Sequence, residues 1–306
     1  MIGVLLTAYG GPDSLDDVEP YLLDVRGGRP TPPPMLHEIR DRYALIGGRS
    51  PLRHWTERAA AALTARLGEG YRVAVGMRHW HPYIAASVQA LADTGVERLL
   101  VVPMSPYYAR MSVGAYTDKV SQALRPGMTA RIARSWHLQP DLVRGFAESL
   151  QQGHIDDAPV LFTAHSLPAR IREARDPYPD QLLETAAAVA HAAGVTDWHF
   201  AYQSPGRTGE AWLGPFAEEV VDGLHNAGAR AVTVAPIGFL CDHVEILYDV
   251  DIALKAHADK LGMQLARTPS LNDGEALVAA LAAVVHHLEC GVDDTVISTE
   301  EISCAS

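Results

Sequence analysis

Residues 159–168 read PVLFTAHSLP. The first half of this stretch is almost wholly apolar, with no alternation of apolar and polar positions. A strand with one face in water alternates; an unbroken apolar run of this length is a strand buried on both faces. Such strands belong to parallel sheets covered by helices on each side. The run ends on His165 and Ser166, so the chain leaves the sheet through a short polar loop. Similar runs recur at residues 2–8, 71–76, 98–103, 198–203 and 230–236. Ala-rich helical patterns fall among them at residues 52–66, 82–94, 181–194 and 209–227. This alternation predicts an α/β fold with right-handed crossovers.

The chain also repeats itself. LLTAYGGP (residues 5–12) pairs with LFTAHSLP (161–168), and GVERLLVVPMSPYY (95–108) pairs with GARAVTVAPIGFLC (228–241), in the same order. Two matched pairs in order indicate two similar halves. The expected boundaries are 1–148 and 149–290, with a linker around residues 151–159 and a loose acidic tail over 291–306. Ligands of open α/β sheets bind beyond the carboxyl ends of strands. The repeat puts Tyr9 and His165 at equivalent strand ends, and the second pair does the same for residues 105–112 and 241–245. Two such halves facing each other would form a cleft.

Composition removes several classes of function. The 306 residues are 48% hydrophobic and 20% charged, which is globular and not disordered. Net charge is −12, which argues against nucleic acid as the main partner, since phosphate binding needs clustered cations. The longest apolar run, residues 276–285, has ten residues, against the ~20 that span a bilayer. The opening MIGVLLTAYGG reads as a strand and not a leader. Three Cys show no pairing pattern, which suits a reducing cytoplasm. Neither GxGxxG nor a phosphate-binding GxxxxGK[ST] is present, which removes the main support for NAD or ATP.

Four places carry candidate chemistry. His165 stands at a strand end, where a neutral imidazole can ligate a metal or take a proton near pH 7. In PIGFLCDHVEILYDVD (236–251), Asp242 can cap the helix that follows, and Glu245 and Asp249 share one helix face. That carboxylate pair can attract a divalent cation or relay protons; an ordinary solvated helix with an acidic first turn has the same pattern. Arg26, Arg29, Arg42 and Arg49 cluster in Gly/Pro-rich loops or beside them, suited to carboxylates by the bidentate guanidinium fork, or present only for solubility. Ser50 reads as an N-cap with Pro51 opening a helix. Cys241 reads as a buried small residue more readily than as a nucleophile.

These stretches resemble one family. TAHSLP around His165, DPYPDQL (176–182), WLGP (212–215) and GFLCDHVEILYD (238–249) look like the ferrochelatases. AYGGP, the Arg26 loop, DRYALIGGRSPL (41–52) and GMRHWHPY (76–83) match the same family's N-terminal half, so that the resemblance spans about residues 1–290. It implies two Rossmann-like halves, each a parallel sheet flanked by helices, around a porphyrin cleft. It implies insertion of ferrous iron into a porphyrin during haem synthesis. By this resemblance His165 and Glu245 are the catalytic, metal-handling pair, and Tyr9 occupies an axial position beside the macrocycle. Arg26, Arg42, Tyr43, Ser50 and Tyr116 match porphyrin-contacting positions, and His79 matches a family histidine on a second loop. The chemistry suits these residue types: a neutral His binds the ion or accepts a pyrrole proton, and a paired carboxylate offsets charge. Bending the ring would expose its lone pairs.

Departures from the family pattern sharpen the expectation. Members with a two-iron two-sulfur cluster carry four Cys, mostly near the C-terminus; Cys241, Cys290 and Cys304 do not fit, so no cluster and no permanent cofactor is expected. The acidic ladder ends early, because Ala253 stands where a further carboxylate is common, which argues against an outer metal site. Ala109 and Arg110 replace small hydroxyl residues. Tyr9 stands where membrane-bound members have Met, and the first loop lacks an apolar lip, which favours coproporphyrin III over protoporphyrin IX as the partner. Two other readings compete: a cobalt or nickel tetrapyrrole chelatase, and a non-catalytic haem or porphyrin carrier using Tyr9.

Overall fold

A computed structural model describes residues 1–206, 208–291 and 295–298. Among these residues are nine strands: β1 (Ile2–Ala8), β2 (Tyr71–Met77), β3 (Arg98–Pro103), β4 (Thr129–Ile132), β5 (Val160–His165), β6 (Trp198–Gln203), β7 (Ala231–Ala235), β8 (Gln264–Arg267) and β9 (Thr295–Ser298). The chain divides into two compact units, Met1–Gln139 with Asn272–Ser306, and Pro140–Leu271.

The first unit holds a sheet in the order β2-β1-β3-β4-β9, and the second a sheet in the order β6-β5-β7-β8. All pairings are parallel except β4 with β9. The two orders are the same once β1–β4 are matched with β5–β8. The internal repeat is therefore a repeat of topology: β1 corresponds to β5 and β3 to β7. Both central strands are sealed, with Val4, Leu5 and Leu6 in one and Val160, Leu161 and Phe162 in the other fully buried. Unbroken apolar sequence and two-sided burial are the same fact read twice.

Each unit has its own core. In the first, Leu5, Leu99 and Val101 of the sheet pack with Ile84, Val88 and Leu91 of the helix Ile84–Asp93 and with Tyr116 and Val120. In the second, Leu161, Val232 and Val234 pack with Ala217, Val221 and Leu224 of the helix Ala217–Asn226 and with Val250 and Leu254.

The structure corrects several expectations. The helix Glu275–Cys290 belongs to the first unit, so the units are not the consecutive stretches 1–148 and 149–290. Polar contacts tie it there: Arg58 pairs with Asp273, Arg66 with Glu275, the Tyr71 hydroxyl donates to Glu289, and Arg131 donates to the Leu288 carbonyl. Within the expected tail, Thr295–Ser298 form β9, antiparallel to β4; residues 292–294 and 299–306 lie outside the described residues. The helix expected from residue 209 begins only at Ala217, after Gly214 and Pro215, where the Glu219 carboxylate accepts the Phe216 amide proton. Ser50 lies one residue ahead of the N-cap, Pro51; its hydroxyl accepts from the Leu52 amide at 3.4 Å. Asp242 does not cap its helix either, since His243 holds that position; Asp242 accepts from the Ser270 hydroxyl at 2.7 Å and lies 3.4 Å from Arg267.

Candidate functional site

In the second unit the carboxyl ends of β5, β6 and β7 converge. β5 ends on His165 and β6 on Gln203, and the two are partners in the strand register. After β7 the chain turns back over β5. Gly238 is required there: its amide donates to the Thr163 carbonyl at 3.0 Å, and a Cβ on it would stand 2.4 Å from the Ala164 Cβ. This close approach carries the following residues toward the end of β5. His165 Nδ1 and Glu245 Oε2 lie 3.1 Å apart, with side chains 32% and 30% exposed, half-buried and open enough to be reached. They meet at ion-pair distance without hydrogen-bond geometry, so that His165 Nδ1 is a buried polar atom without a hydrogen-bond partner among the described residues.

The pair is held from behind. The Tyr178 hydroxyl donates to the His165 carbonyl at 2.9 Å, and the Trp212 indole stands edge-on to the imidazole at 6.3 Å. Gln203 Nε2 donates to the Glu245 carbonyl at 2.6 Å. His243 Nδ1 lies 3.0 Å from the Cys241 carbonyl, which can only accept, so that nitrogen carries the proton and Nε2 faces Glu245 at 3.6 Å. The short helix Val244–Leu247 continues as a π-helix, Asp249–Leu254, and Asp249 accepts from the Ser204 hydroxyl.

Electrostatics couples these groups. Burial acts to lower the His165 pKa, but the Glu245 carboxylate, with Asp249 behind it, outweighs burial and holds the imidazole above its ordinary value. Burial acts to raise the Glu245 carboxyl, and the facing His165 and His243 hold it well below the usual carboxylate range. Cys241 is buried, and its thiol is pushed up to about 12 by desolvation and by Asp242, so it is an inert packing residue. Among the described residues no three His, Cys, Asp or Glu side chains are grouped to hold a metal ion. The second unit thus sets one imidazole beside one ionised carboxylate, groups whose chemistry suits a divalent ion or a proton.

In the first unit Tyr9 follows β1 directly, at the position equivalent to His165, and is 40% exposed. Its ring rests on His79, centroids 4.7 Å apart, and the Arg78 guanidinium carbon lies 6.0 Å from the ring centre. His79 is nearly sealed; its Nδ1 lies 2.6 Å from Asp24 Oδ1, and burial outweighs that carboxylate to lower the imidazole pKa. Arg26 and Arg29 bond reciprocally, each Nε to the other's carbonyl, across a turn whose Gly27 and Gly28 have φ of 62° and 81°. Arg42 pairs with Glu38 at 2.7 Å. Tyr43 and Ser50 are buried beside Gly11, where a Cβ would stand 2.6 Å from the Ser50 Cβ. Tyr116 is buried in the core, with its phenol pKa raised by desolvation. Ser50 also anchors the loop after Tyr9, its amide donating to the Pro12 carbonyl at 2.8 Å.

The structure therefore joins His165 to Glu245 in one unit and gathers Tyr9, His79 and the arginine loops in the other. Gln203, Asp24 and Tyr178 escaped the sequence reading as site residues. Gln203 carried a usable signal: it is a polar residue closing an apolar strand, as His165 is.

A family model described as ferrochelatase matches residues 1–288 of this chain. A ferrochelatase of Deinococcus radiodurans is 40% identical over 299 residues, 93% of this chain and 95% of that one. A coproporphyrin III ferrochelatase of Bacillus subtilis is 33% identical over 299 residues, 93% and 96% of the two chains. In fold, the chain resembles the sirohydrochlorin chelatase SirB of Bacillus subtilis subspecies spizizenii, solved with cobalt, with a TM-score of 0.58 at 12% identity over 96% of this chain and 98% of the other.

Proposed function

The chain belongs to the ferrochelatase family, and from that premise we propose that His165 and Glu245 handle the ferrous ion and the displaced protons, with coproporphyrin III as the ring. Membership makes the protein an enzyme, a porphyrin metal chelatase whose substrates are ferrous iron and a porphyrin. The observation that carries the residue assignment is the 3.1 Å approach of His165 Nδ1 to Glu245 Oε2 at the carboxyl end of one sheet.

Metallation exchanges two pyrrole N–H bonds for bonds from iron to nitrogen and releases two protons. In this reading neutral His165 offers a nitrogen to the ion or accepts a proton. Glu245 stays ionised at neutral pH and offsets the charge of the ion or of the imidazolium. Asp249, one turn onward, receives protons next. No step uses Cys241.

Coproporphyrin III is supported by the relatives named for it, at 33–34% identity. It is supported as well by charge: coproporphyrin III bears four propionates and protoporphyrin IX two. Arg26 and Arg29 make no ion pair among the described residues and are suited to such carboxylates. Arg42, Tyr43, Ser50, Tyr116 and Tyr9 complete the proposed ring-binding set. Among the described residues no helix is long and apolar enough to cross a membrane. With Cys241 and Cys290 as free thiols, the location proposed is the cytoplasm. The test is anaerobic metallation with Fe²⁺ and each porphyrin side by side. A higher kcat/KM for coproporphyrin III is expected; an equal or higher value for protoporphyrin IX overturns the substrate choice.

A further inference from the structure

Gln203 is 5% exposed, and its two amide atoms have unlike surroundings. Nε2 donates to the Glu245 carbonyl at 2.6 Å, which fixes the plane of the amide. Oε1 is buried and, among the described residues, accepts no hydrogen bond. A buried acceptor without a partner is rare and calls for a reason. His165 Nδ1, on the residue paired with Gln203 in the register, is in the same condition. Paired residues on neighbouring parallel strands project from the same face of the sheet. Three facts thus close a triangle: the His165 imidazole meets the Glu245 carboxylate, Gln203 holds the Glu245 backbone, and Gln203 is aligned with His165.

The His165–Glu245 pair supplies only two donors to an ion, and no third His, Cys, Asp or Glu joins them in metal-holding geometry among the described residues. An amide oxygen is a neutral, hard donor suited to divalent ions. We infer that Gln203 is a further residue of this site: its Oε1 is the third donor to the incoming divalent ion, while its Nε2 keeps Glu245 in position. This rests on the reading of His165 and Glu245 as the metal-handling pair. Being neutral, Gln203 adds a ligand without adding charge, so the ion is held loosely enough to be passed on.

The test is Co²⁺ titration of the metal-free enzyme, followed by the visible absorption band of the bound ion, on wild type, Gln203→Met, Gln203→Glu and His165→Ala. Gln203→Met removes both amide functions at similar size; Gln203→Glu keeps an oxygen and removes the donor. Expected for Gln203→Met are Co²⁺ binding weaker by about tenfold and a shifted band, in line with the 10–100-fold losses seen when metal-site partners are removed. Gln203→Glu, which keeps an oxygen donor and adds charge, is expected to bind Co²⁺ at least as tightly as wild type, with the same pattern in KM for Fe²⁺ and an unchanged KM for porphyrin. Wild-type affinity in Gln203→Met overturns the inference, as does an equal loss in Gln203→Glu, which would leave only the backbone clamp. If Gln203→Met does not fold, Gln203→Glu decides by the same criterion. The His165→Ala arm separates the two readings. If it binds Co²⁺ as wild type does, the metal-pair reading fails; if it loses Co²⁺ while Gln203→Met does not, only the role of Gln203 fails.

Discussion

His165 Nδ1 lies 3.1 Å from Glu245 Oε2, although one residue ends β5 and the other follows β7. The two strands are neighbours in the same sheet, so topology brings the pair together. The carboxylate raises the imidazole pKa, and the imidazole lowers that of the carboxylate. The neutral imidazole, the form that binds metal or takes a proton, exists above the His165 pKa. Activity is therefore expected to fall as pH drops through a value higher than the ~6.5 of an ordinary histidine. Glu245→Gln removes the carboxylate and leaves burial, which lowers the pKa. The acid limb of kcat/KM should then move to lower pH, while kcat itself falls. A limb that stays in place in Glu245→Gln would contradict the coupling.

Gly238 sets the path of the loop that carries Glu245. A Cβ there would stand 2.4 Å from the Ala164 Cβ and 2.5 Å from its Cα, and backbone cannot give way as a side-chain tip can. Gly238→Ala is expected to destabilise the fold by about 1–3 kcal/mol. Metallation should fall further than stability explains, because Glu245 moves with the loop. Thermal melting and kcat measured on the same preparation check both parts.

Among the described residues, the side chains of Arg26 and Arg29 make only their reciprocal bonds to each other's carbonyl across the Gly27–Gly28 turn. Replacing both with Ala should raise the KM for coproporphyrin III about fivefold, close to 1 kcal/mol for exposed charge pairs, with kcat little changed. The rise should be smaller for protoporphyrin IX, which has fewer carboxylates. An unchanged KM for coproporphyrin III would place the arginines away from the propionates, and equal rises for both rings would remove them as the source of the preference.

His79 links stability to pH. Burial holds its folded-state pKa below the unfolded value, against Asp24 and together with the repulsion of Arg78 and Lys119. Its contribution to stability is fully present above about pH 6.5 and is lost as pH falls toward the folded-state pKa. His79→Gln should flatten the dependence of unfolding free energy on pH over that window, as measured by urea denaturation. An undiminished slope would show that the acid sensitivity comes from other groups.

Where the fold was legible from sequence, the reason is burial. Strands β1 and β3 match their apolar runs residue for residue, because these central strands are almost wholly sealed; β6 matches as well, although it is an edge strand whose first three residues are only part-buried. Strands β4 and β8, TARI and QLAR, were not legible: four residues with an Arg or Gln among them do not form a periodic signal. The Ala-rich helix Glu275–Cys290 looked like part of the second half. Its place in the first depends on partners far away in sequence: it buries an apolar face there, and Arg66 and Tyr71 bond to Glu275 and Glu289. At the candidate site, His165 and Glu245 were legible as strand-end chemistry and as a family motif. The amide of Gln203 was not, because its significance depends on what its two atoms do and do not touch.

The central claim, that His165 acts on the metal and the protons, is tested most directly by anaerobic metallation of coproporphyrin III with Fe²⁺, comparing wild type with His165→Ala by the porphyrin absorption spectrum. Loss of a positioned proton acceptor lowers rates by about 10²–10⁴-fold. The account predicts a fall of at least about 10²-fold in kcat, with porphyrin affinity within about twofold of wild type. A His165→Ala enzyme that turns over at nearly the wild-type rate would contradict it.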